Sequence, residues 1–389
     1  MIDMKPIPYG RQQIGEEDVQ AVVDVLRSNF LTQGPAVPAF ERAVAARCGA
    51  AHAVAANSAT SALHLACMAL GVGTGDVVWT SPITFVASAN CARYCGAAVD
   101  FVDIDPRTYN MSASALGEKL ARAEKADRLP KVVIPVHLTG QSCDMEAIGV
   151  LARRYGFRVI EDASHAIGGT YRGAPIGNCR YSDITVFSFH PVKIITTGEG
   201  GLATTNDPAL ARRMDLLRSH GITRDAAEMT REPDGPWYYQ QVALGFNYRM
   251  TDIQAALGRS QLLRIDEWIA RRHQIADAYD HDLAALPLTT PYRSPEGRSA
   301  LHLYVVLLGD GSGKRRRQVF EALRAGGVGV NVHYIPVHLQ PDFAGFGLRE
   351  GNFPVAEDYY RRTLSLPMFP GLTDEQHGRV VDLLRGALK

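Results

Sequence analysis

The stretch KVVIPVHLTGQSCDMEAIGVLARRYGFRVIED, residues 131–162, decides the fold class. It begins with an apolar run, continues with an amphipathic pattern of helical spacing at 144–156, and ends in a second apolar run at 157–162. Parallel neighbours in a sheet need a long crossover connection, usually a helix. The order of strand, helix and strand therefore predicts a parallel βαβ unit.

The same alternation extends from about residue 50 to about residue 210. Strands are predicted over 52–58, 77–82, 97–105, 131–140, 157–162, 183–190 and 201–206. Continuous apolar strands separated by helices indicate a mostly parallel sheet that is buried on both faces. The ligands of such a sheet gather where its strands end.

A second, smaller unit is predicted in the C-terminal part of the chain. A long helical pattern covers 250–286, and the sequence beyond it suggests an α/β unit with at least two strands. We therefore expect a large domain at 1–260 and a small domain at 261–389. Two domains are the default for a chain of 389 residues.

Composition excludes several classes of function. Lys plus Arg and Asp plus Glu both total 41, so net charge offers no argument for binding nucleic acid or an anionic membrane. There is no signal-peptide pattern and no run of 18 apolar residues, which favours a cytoplasmic protein. The six cysteines are scattered, so we expect reduced thiols and no metal site.

Three polar features fall at predicted strand ends. Asp162 ends one strand, and Lys193 follows another within VFSFHPVKIITTGEGG (186–201), without a basic neighbour in sequence. In NSATSALHLA (57–66) a helix begins near Thr60 and Ser61, which offers an anion site. Pyridoxal phosphate needs a phosphate site, an anion beside its ring nitrogen and a reactive lysine for its aldehyde. Phe85 follows a strand and could stack on the ring.

Each of these residues also has a plain structural interpretation. Lys193 could be a surface lysine in a glycine-rich loop, and Asp162 could cap the helix that follows it. Thr60 and Ser61 are ordinary capping residues. His333 and His338 lie five residues apart around a proline, which is wrong for two zinc ligands on one helix face. The segment between them is either a substrate-contacting loop or purely structural.

A series of longer motifs resembles one family over nearly the whole chain. The motifs are LTQGPAVPAFE (31–41), NSATSALHLA (57–66), SPITFVASAN (81–90), VIEDASHAIG (159–168), FSFHPVKIITTGEGG (187–201), LRSHGI (217–222), GFNYRMTDIQAALG (245–258), HYIPVHLQP (333–341) and SLPMFPGLT (365–373). In this order they resemble the sugar aminotransferases of the DegT/DnrJ/EryC1/StrS family. The resemblance implies a fold type I enzyme: an α/β large domain with a mostly parallel seven-stranded sheet between helices, plus a smaller C-terminal α/β domain.

The resemblance also implies residue roles. Lys193 would form the covalent link to pyridoxal 5′-phosphate, and Asp162 would pair with the ring nitrogen. His165 stands where the family often has glutamine, beside the phenolic oxygen of the cofactor. The remaining implied contacts are Thr60, Ser61 and Ser188 to the phosphate, Phe85 to the ring, Asn247 to the phosphate of a neighbouring subunit, and Thr32, Gln33, His333 and Tyr334 to the substrate. Asn247 thereby implies a homodimer with shared active sites.

The implied reaction is a transamination with pyridoxamine phosphate as the intermediate cofactor form. Glutamate would leave as 2-oxoglutarate, and the amino group would reach C4 of a nucleotide-linked 4-keto-6-deoxyhexose. The motifs favour the branch of pseudaminic acid biosynthesis, with UDP-2-acetamido-2,6-dideoxy-4-hexulose as substrate. The alternatives are a perosamine-, bacillosamine- or antibiotic-sugar transaminase, a dehydratase that has histidine in place of Lys193, and a regulatory protein without turnover.

Overall fold

The computed structural model describes residues 5–309 and 314–389, and every structural statement below concerns these residues. The helices are α1 Glu16–Leu26, α2 Ala36–Cys48, α3 Ala59–Ala69, α4 Ala87–Tyr94, α5 Ala113–Lys125, α6 Met145–Tyr155, α7 Pro208–Arg218, α8 Asp252–Leu262, α9 Ile265–Leu283, α10 Lys314–Ala325, α11 Pro354–Arg362 and α12 Asp374–Leu388. The strands are β1 His52–Ala56, β2 Val77–Thr80, β3 Ala98–Phe101, β4 Val132–Ile134, β5 Arg158–Asp162, β6 Thr170–Tyr171, β7 Ala174–Pro175, β8 Ile184–Ser188, β9 Gly201–Thr205, β10 Ile222–Thr223, β11 Gln240–Gln241, β12 Leu288–Thr289, β13 Gly297–Arg298, β14 Tyr304–Leu308 and β15 Thr363–Leu366.

Seven strands form the central sheet in the order β1-β9-β8-β5-β4-β2-β3. Neighbours from β8 to β3 are parallel, whereas β9 runs antiparallel to both β8 and β1. The connection 189–200 between β8 and β9 contains no helix, so β9 returns alongside its predecessor in the opposite direction. The predicted mostly parallel seven-stranded sheet is confirmed, and this connection carries Lys193.

Helices cover both faces of the sheet. On one face α3, α4 and α7 share a core with inward residues of the strands, including Ala56, Val78 and Ile160. On the other face the alternate strand residues pack against α2, α8, the start of α9, α5 and α6. Since successive strand residues point to opposite faces, a sheet covered on both sides needs the continuous apolar strands seen in the sequence.

A smaller antiparallel sheet, β12-β14-β15, lies in the C-terminal part of the chain. Its core includes residues of α10, α12 and the second half of α9, such as Tyr279, together with Ile7 from the N-terminal segment. The first half of α9, including Trp268, packs instead with the large sheet. Because α9 contributes to both cores, the division at residue 260 stays a prediction.

The helical pattern at 250–286 forms two helices rather than one. The chain turns between α8 and α9 at Leu263 and Arg264, where Leu263 is 85% exposed. The Arg264 guanidinium pairs with the buried carboxylate of Asp18, which holds this turn against the start of α1.

Two features are absent from residues 5–309 and 314–389. No helix there is both long and apolar enough to cross a membrane. In the same part of the chain, no group of three or more histidine, cysteine, aspartate or glutamate side chains could hold a metal ion.

Candidate active site

A cavity of about 710 Å³ opens where the strands of the large sheet end. One part of its lining, the floor, comes from residues at or just beyond the ends of β1, β2, β5 and β8, and the rest comes from the N-terminal segment, residue 302 and the segment 331–335. The lining side chains central to the site are Ser58, Thr60, Phe85, Asp162, His165, Ser188, Lys193, His302, His333 and Tyr334. The polar residues predicted at separate strand ends therefore share one cavity.

Lys193 lies in a turn after β8, where its backbone N–H donates to the His190 carbonyl at 2.9 Å. Burial lowers the pKa of Lys193 to about 8, although the negative charge of Asp162 raises it. A lysine with this pKa has a substantial neutral fraction near neutral pH, and the neutral amine is the nucleophile.

Asp162 ends β5 and is 4% exposed. Its carboxylate accepts from the Ser88 hydroxyl at 2.6 Å and from the Ser164 backbone N–H at 3.1 Å. In the described part of the chain it forms no ion pair within 4.0 Å. A buried carboxylate that lacks a cationic partner is costly, so the site suits a ligand that brings a positive charge.

The start of α3, where the sequence predicts an anion site, lies at the cavity. Ser58 is the N-cap, and Ser58, Ala59 and Thr60 line the cavity. Gly201 makes this arrangement possible, because a Cβ atom there would overlap the backbone of Ser58 and Ala59. The glycines of the GEGG motif thus bring β9 against the first turn of α3. Ser188, at the end of β8, lines the same cavity.

His165 is 5% exposed, and its Nε2 atom lies 3.1 Å from the Tyr334 hydroxyl. Its Nδ1 atom is buried without a hydrogen-bond partner in the described residues. The His302 ring lies 4.5 Å from the His165 ring. Burial, with smaller effects from the charges of Lys193 and His333, holds the pKa of His165 well below its usual range. We therefore expect His165 to be neutral.

Phe85 lies just before α4 and is 59% exposed. Its ring lies 6.3 Å from the Tyr334 ring, so the two aromatic side chains are neighbours in the cavity. An exposed aromatic ring at a cavity suits stacking on a flat ligand.

Four predicted site residues do not line the cavity of this protomer. The Ser61 hydroxyl donates to Asn57 at 2.7 Å, which turns it away from the cavity. Asn247 is exposed and pairs with Ser219. Thr32 pairs with Thr251, and Gln33 beside it is exposed. Their predicted roles stay predictions.

Several lining residues were not predicted: Tyr9, Ser58, Thr84, Ser164, His190, Glu199, His302, Asn331 and Gln340. Ser58 carried a usable signal, because it is the serine that directly precedes the helical pattern. Tyr9 and Asn331 carried none, because they lie far apart in sequence and meet only in the folded chain. His338 lies outside the cavity and contacts the Glu357 carboxylate at 3.0 Å.

Comparison with known families agrees with this geometry. The sequence profile of the DegT/DnrJ/EryC1/StrS aminotransferase family matches residues 12–385. The chain belongs to this family. The predicted fold type I architecture is confirmed, and so is the predicted cofactor, since these aminotransferases use pyridoxal 5′-phosphate.

Similar members of the DegT/DnrJ/EryC1/StrS family come from several bacteria. The spore coat polysaccharide biosynthesis protein SpsC of Bacillus subtilis is 42% identical over 387 residues, which cover 98% of this chain and 97% of SpsC. The GDP-perosamine synthase of Caulobacter vibrioides is 39% identical over 387 residues, which cover 99% of this chain and 99% of the synthase. The structure of Helicobacter pylori PseC, an aminotransferase involved in pseudoaminic acid biosynthesis, matches with a TM-score of 0.90 at 30% identity, covering 99% of both chains.

The residues of this DegT/DnrJ/EryC1/StrS aminotransferase fit its cofactor. Asp162 offers a buried carboxylate without a cation, and the pyridine nitrogen of the cofactor supplies one. His165 has a buried Nδ1 atom that lacks a partner. The first turn of α3 offers N–H groups to a phosphate. Lys193, in the same cavity, offers an amine to the aldehyde.

Proposed function

We propose that this aminotransferase transfers the amino group of glutamate to C4 of a nucleotide-linked 4-keto-6-deoxyhexose. The observation that carries the proposal is the cavity that holds Lys193, Asp162 and His165 together, lined also by the uncharged polar side chains of Tyr9 and Asn331. The volume of about 710 Å³ lies within the range of small-molecule sites. Similarity to three proteins of sugar biosynthesis supports a sugar as the acceptor.

Within this class we propose UDP-2-acetamido-2,6-dideoxy-4-hexulose, the substrate of the pseudaminic acid branch. Likeness to PseC over 99% of both chains supports this choice. Likeness to a GDP-perosamine synthase at 39% identity supports the alternative, a GDP-linked sugar. A dehydratase is disfavoured because Lys193 stands where those enzymes have histidine. A regulatory protein without turnover is disfavoured by the reactive state of Lys193, with its pKa near 8.

When bound, pyridoxal 5′-phosphate supplies an aldehyde that takes up the amino group and a ring that stabilises negative charge. Lys193 would hold that aldehyde and, once released, would move a proton from the C4′ carbon of the cofactor to C4 of the sugar. A pKa near 8 lets this amine both accept and release a proton close to neutral pH. Asp162 holds the proton on the ring nitrogen, since its carboxylate is buried and oriented by Ser88 and Ser164.

Other residues bind and orient. Thr60, Ser188 and the first turn of α3 hold the phosphate through hydroxyl and N–H groups. The neutral His165 donates a hydrogen bond to the phenolic oxygen. Phe85 covers one face of the ring, and we expect it to exclude water there.

We further propose a homodimer with shared active sites. In the described part of the chain no arginine lines the cavity, although a cofactor phosphate, a nucleotide and glutamate all bring negative charge. Asn247 is exposed and does not line the cavity of its own protomer. A second subunit that presents Asn247 to this cavity would complete the phosphate site, and two-fold symmetry would then create two such sites.

A substrate panel tests the reaction. UDP-, GDP- and dTDP-linked 4-keto-6-deoxy sugars are each incubated with the holoenzyme and glutamate, and the products are identified by mass spectrometry. We expect amination of the UDP-linked 2-acetamido sugar with the highest kcat/KM. Preference for a GDP-linked sugar would favour the perosamine-type alternative, and no amination at all would contradict the proposed class.

Subunit mixing tests the shared site. Lys193→Ala and Asn247→Asp chains are each inactive by this proposal, and exchange between them forms heterodimers in which one site carries both changes and the other neither. We expect activity to return to about half of the wild-type value per heterodimer by site counting. Absence of recovery despite demonstrated exchange would assign Asn247 to its own chain.

A further inference from the structure

The N-terminal segment reaches the cavity through Tyr9. The Ile7 N–H donates to the Gly327 carbonyl at 2.9 Å, and the Gly329 N–H donates to the Ile7 carbonyl at 2.6 Å. The Met368 N–H donates to the Tyr9 carbonyl at 3.0 Å. Ile7 is 1% exposed and anchors the segment in the smaller core. The backbone on both sides of Tyr9 is therefore held, and its side chain lines the cavity.

Tyr9 belongs to a set of uncharged polar groups, which we call the polar wall: Tyr9, Asn331 and His333. The Tyr9 ring lies 5.6 Å from the His333 ring. His333 Nδ1 lies 2.7 Å from the Ser365 hydroxyl, and its Nε2 lies 3.4 Å from the Asn331 amide nitrogen. Burial, together with the charge of Lys193, lowers the pKa of His333 to about 3, so this ring is neutral.

The Tyr9 hydroxyl is also uncharged near neutral pH. Burial raises the pKa of Tyr9, and the Asn331 side chain beside it only partly offsets this effect. The polar wall therefore offers neutral hydrogen-bond donors and acceptors. The charged groups of the cavity, among them Lys193 and Asp162, belong to other parts of its lining.

The absence of charged groups from the polar wall indicates which part of the substrate it binds. Carboxylates and diphosphates are bound most strongly by charged donors, which the wall lacks. Sugar hydroxyl and amide groups are neutral and match tyrosine and asparagine. Since C4 of the sugar must reach Lys193, the sugar ring is the part of the substrate that lies between Lys193 and the polar wall.

We propose that Tyr9 is a specificity-determining residue that, with Asn331, hydrogen-bonds the sugar ring of the substrate rather than its nucleotide or the amino donor. The proposal rests on the proposed function, because it assumes a nucleotide-linked sugar as the ligand. It assigns to the N-terminal segment a part in recognising that sugar.

Binding measurements on Tyr9→Phe test the proposal without turnover. The change removes the hydroxyl and keeps the ring that contacts His333. Calorimetry on the holoenzyme gives the Kd of UDP-N-acetylglucosamine and the Kd of UDP alone. We expect the first Kd to rise by about 2- to 10-fold, the usual effect of one neutral hydrogen bond, and the second to stay unchanged. Tyr155→Phe, a half-buried tyrosine on α6 outside the cavity, is the matched control and should change neither.

The glutamate half-reaction supplies a second readout. Its rate, followed by the visible absorbance of the bound cofactor, should be equal in wild type and Tyr9→Phe. A slower glutamate step would assign Tyr9 to the amino donor, and an equal rise in both Kd values would assign it to the nucleotide. Unchanged Kd values, or a wild-type enzyme that binds neither probe, would overturn the proposal. Failure of the proposed function would be detected separately, in the substrate panel, where the wild-type enzyme would aminate none of the sugars.

Discussion

Glu161 and Asp162 are consecutive buried residues of β5, and their carboxylates have different partners. Successive strand residues project to opposite faces of a sheet. On the face away from the cavity, the Glu161 carboxylate lies 2.7 Å from His137 Nε2 and accepts from the Thr185 hydroxyl at 3.1 Å. Burial alone would lower the pKa of His137, but its partners Cys143 and Glu161 outweigh burial and raise the pKa to about 10. The Cys143 backbone N–H donates to His137 Nδ1 at 3.1 Å, so both ring nitrogens of His137 have partners within the protein.

On the cavity face the compensation is smaller, since the charge of Asp162 offsets only part of the effect of burial on the pKa of Lys193. Asp162 has two neutral donors and no ion pair in the described residues, and a buried nitrogen of His165 has no partner. The pKa of Lys193 falls to about 8, and that of His165 falls well below its usual range. A buried group paired within the protein contributes to stability, whereas an unpaired one is available to a ligand. On β5, the carboxylate on one face therefore contributes to stability, and the carboxylate on the other face is available to a ligand.

The largest effect should come from removing the amine on the cavity face. Lys193→Ala should lower turnover by about 10⁴-fold or more, equivalent to about 5 kcal/mol of transition-state stabilisation, because no other amine takes its place. The visible absorbance of the covalently linked cofactor should be lost as well. Borohydride reduction of the wild-type enzyme, followed by peptide mapping, should label Lys193. Labelling of another lysine would contradict the assignment.

Breaking the pair on the opposite face should act on stability. Glu161→Gln weakens the buried contacts of this carboxylate with His137, Ser182 and Thr185, and we expect a loss of about 3 kcal/mol in the free energy of unfolding. Chemical denaturation at pH 6 measures this loss. Arg317→Gln, which breaks the exposed pair of Arg317 with Glu321, is the control and should cost less than about 1 kcal/mol.

The same pair should give stability a defined pH dependence. The pKa of His137 is about 10 in the folded chain against 6.5 as its ordinary value, so its contribution is complete below pH 6.5 and is lost as the pH rises through about 10. The pKa of Glu161 is lowered from 4.5, so the contribution is also lost as the pH falls below that value. The difference between wild type and Glu161→Gln should therefore shrink between pH 6.5 and 10. A constant difference over that range would mean that His137 is neutral in the folded protein.

Removing the carboxylate on the cavity face should act on turnover instead. Asp162→Asn keeps the shape of the side chain but cannot hold the proton on the ring nitrogen of the cofactor. We expect kcat to fall by at least about 100-fold, or about 3 kcal/mol, with an unchanged Tm of the apoprotein. Ser88→Ala removes only the hydroxyl that orients Asp162 and should lower kcat less. Near-normal turnover in Asp162→Asn would exclude its predicted role.

The smallest effect should come from His165. Because the pKa of this residue lies well below 6.5, the pH profile of kcat should show no step from His165 between about pH 6 and 8. His165→Gln, the residue common in the family, can still donate to the phenolic oxygen and should lower kcat by less than about 10-fold, since one neutral hydrogen bond is at stake. A larger loss, or a wild-type step that this substitution removes, would mean that His165 is charged during turnover.

Much of the cavity floor could be predicted because it depends on local pattern. The strands that end at Asp162 and Ser188 are apolar runs, and parallel strands bring their carboxyl ends to one edge. Lys193 follows such a strand and could be placed beside Asp162 without knowledge of the fold. The family motif implied His333 and Tyr334, but Tyr9 and Asn331 could not be predicted, because they meet only through the packing of the N-terminal segment on the smaller unit.

The sequence by itself determined the alternation of strands and helices, the family, and the presence of a lysine and an aspartate suited to the cofactor. Only the tertiary structure decided which buried groups are paired. Glu161 and Asp162 carry the same carboxylate, and nothing in their local sequence shows that one meets His137 and the other meets no cation. The physical reason is that the charge state of a buried group depends on the dielectric and the charges around it. Those surroundings are assembled from residues distant in sequence, so they exist only once the chain has folded.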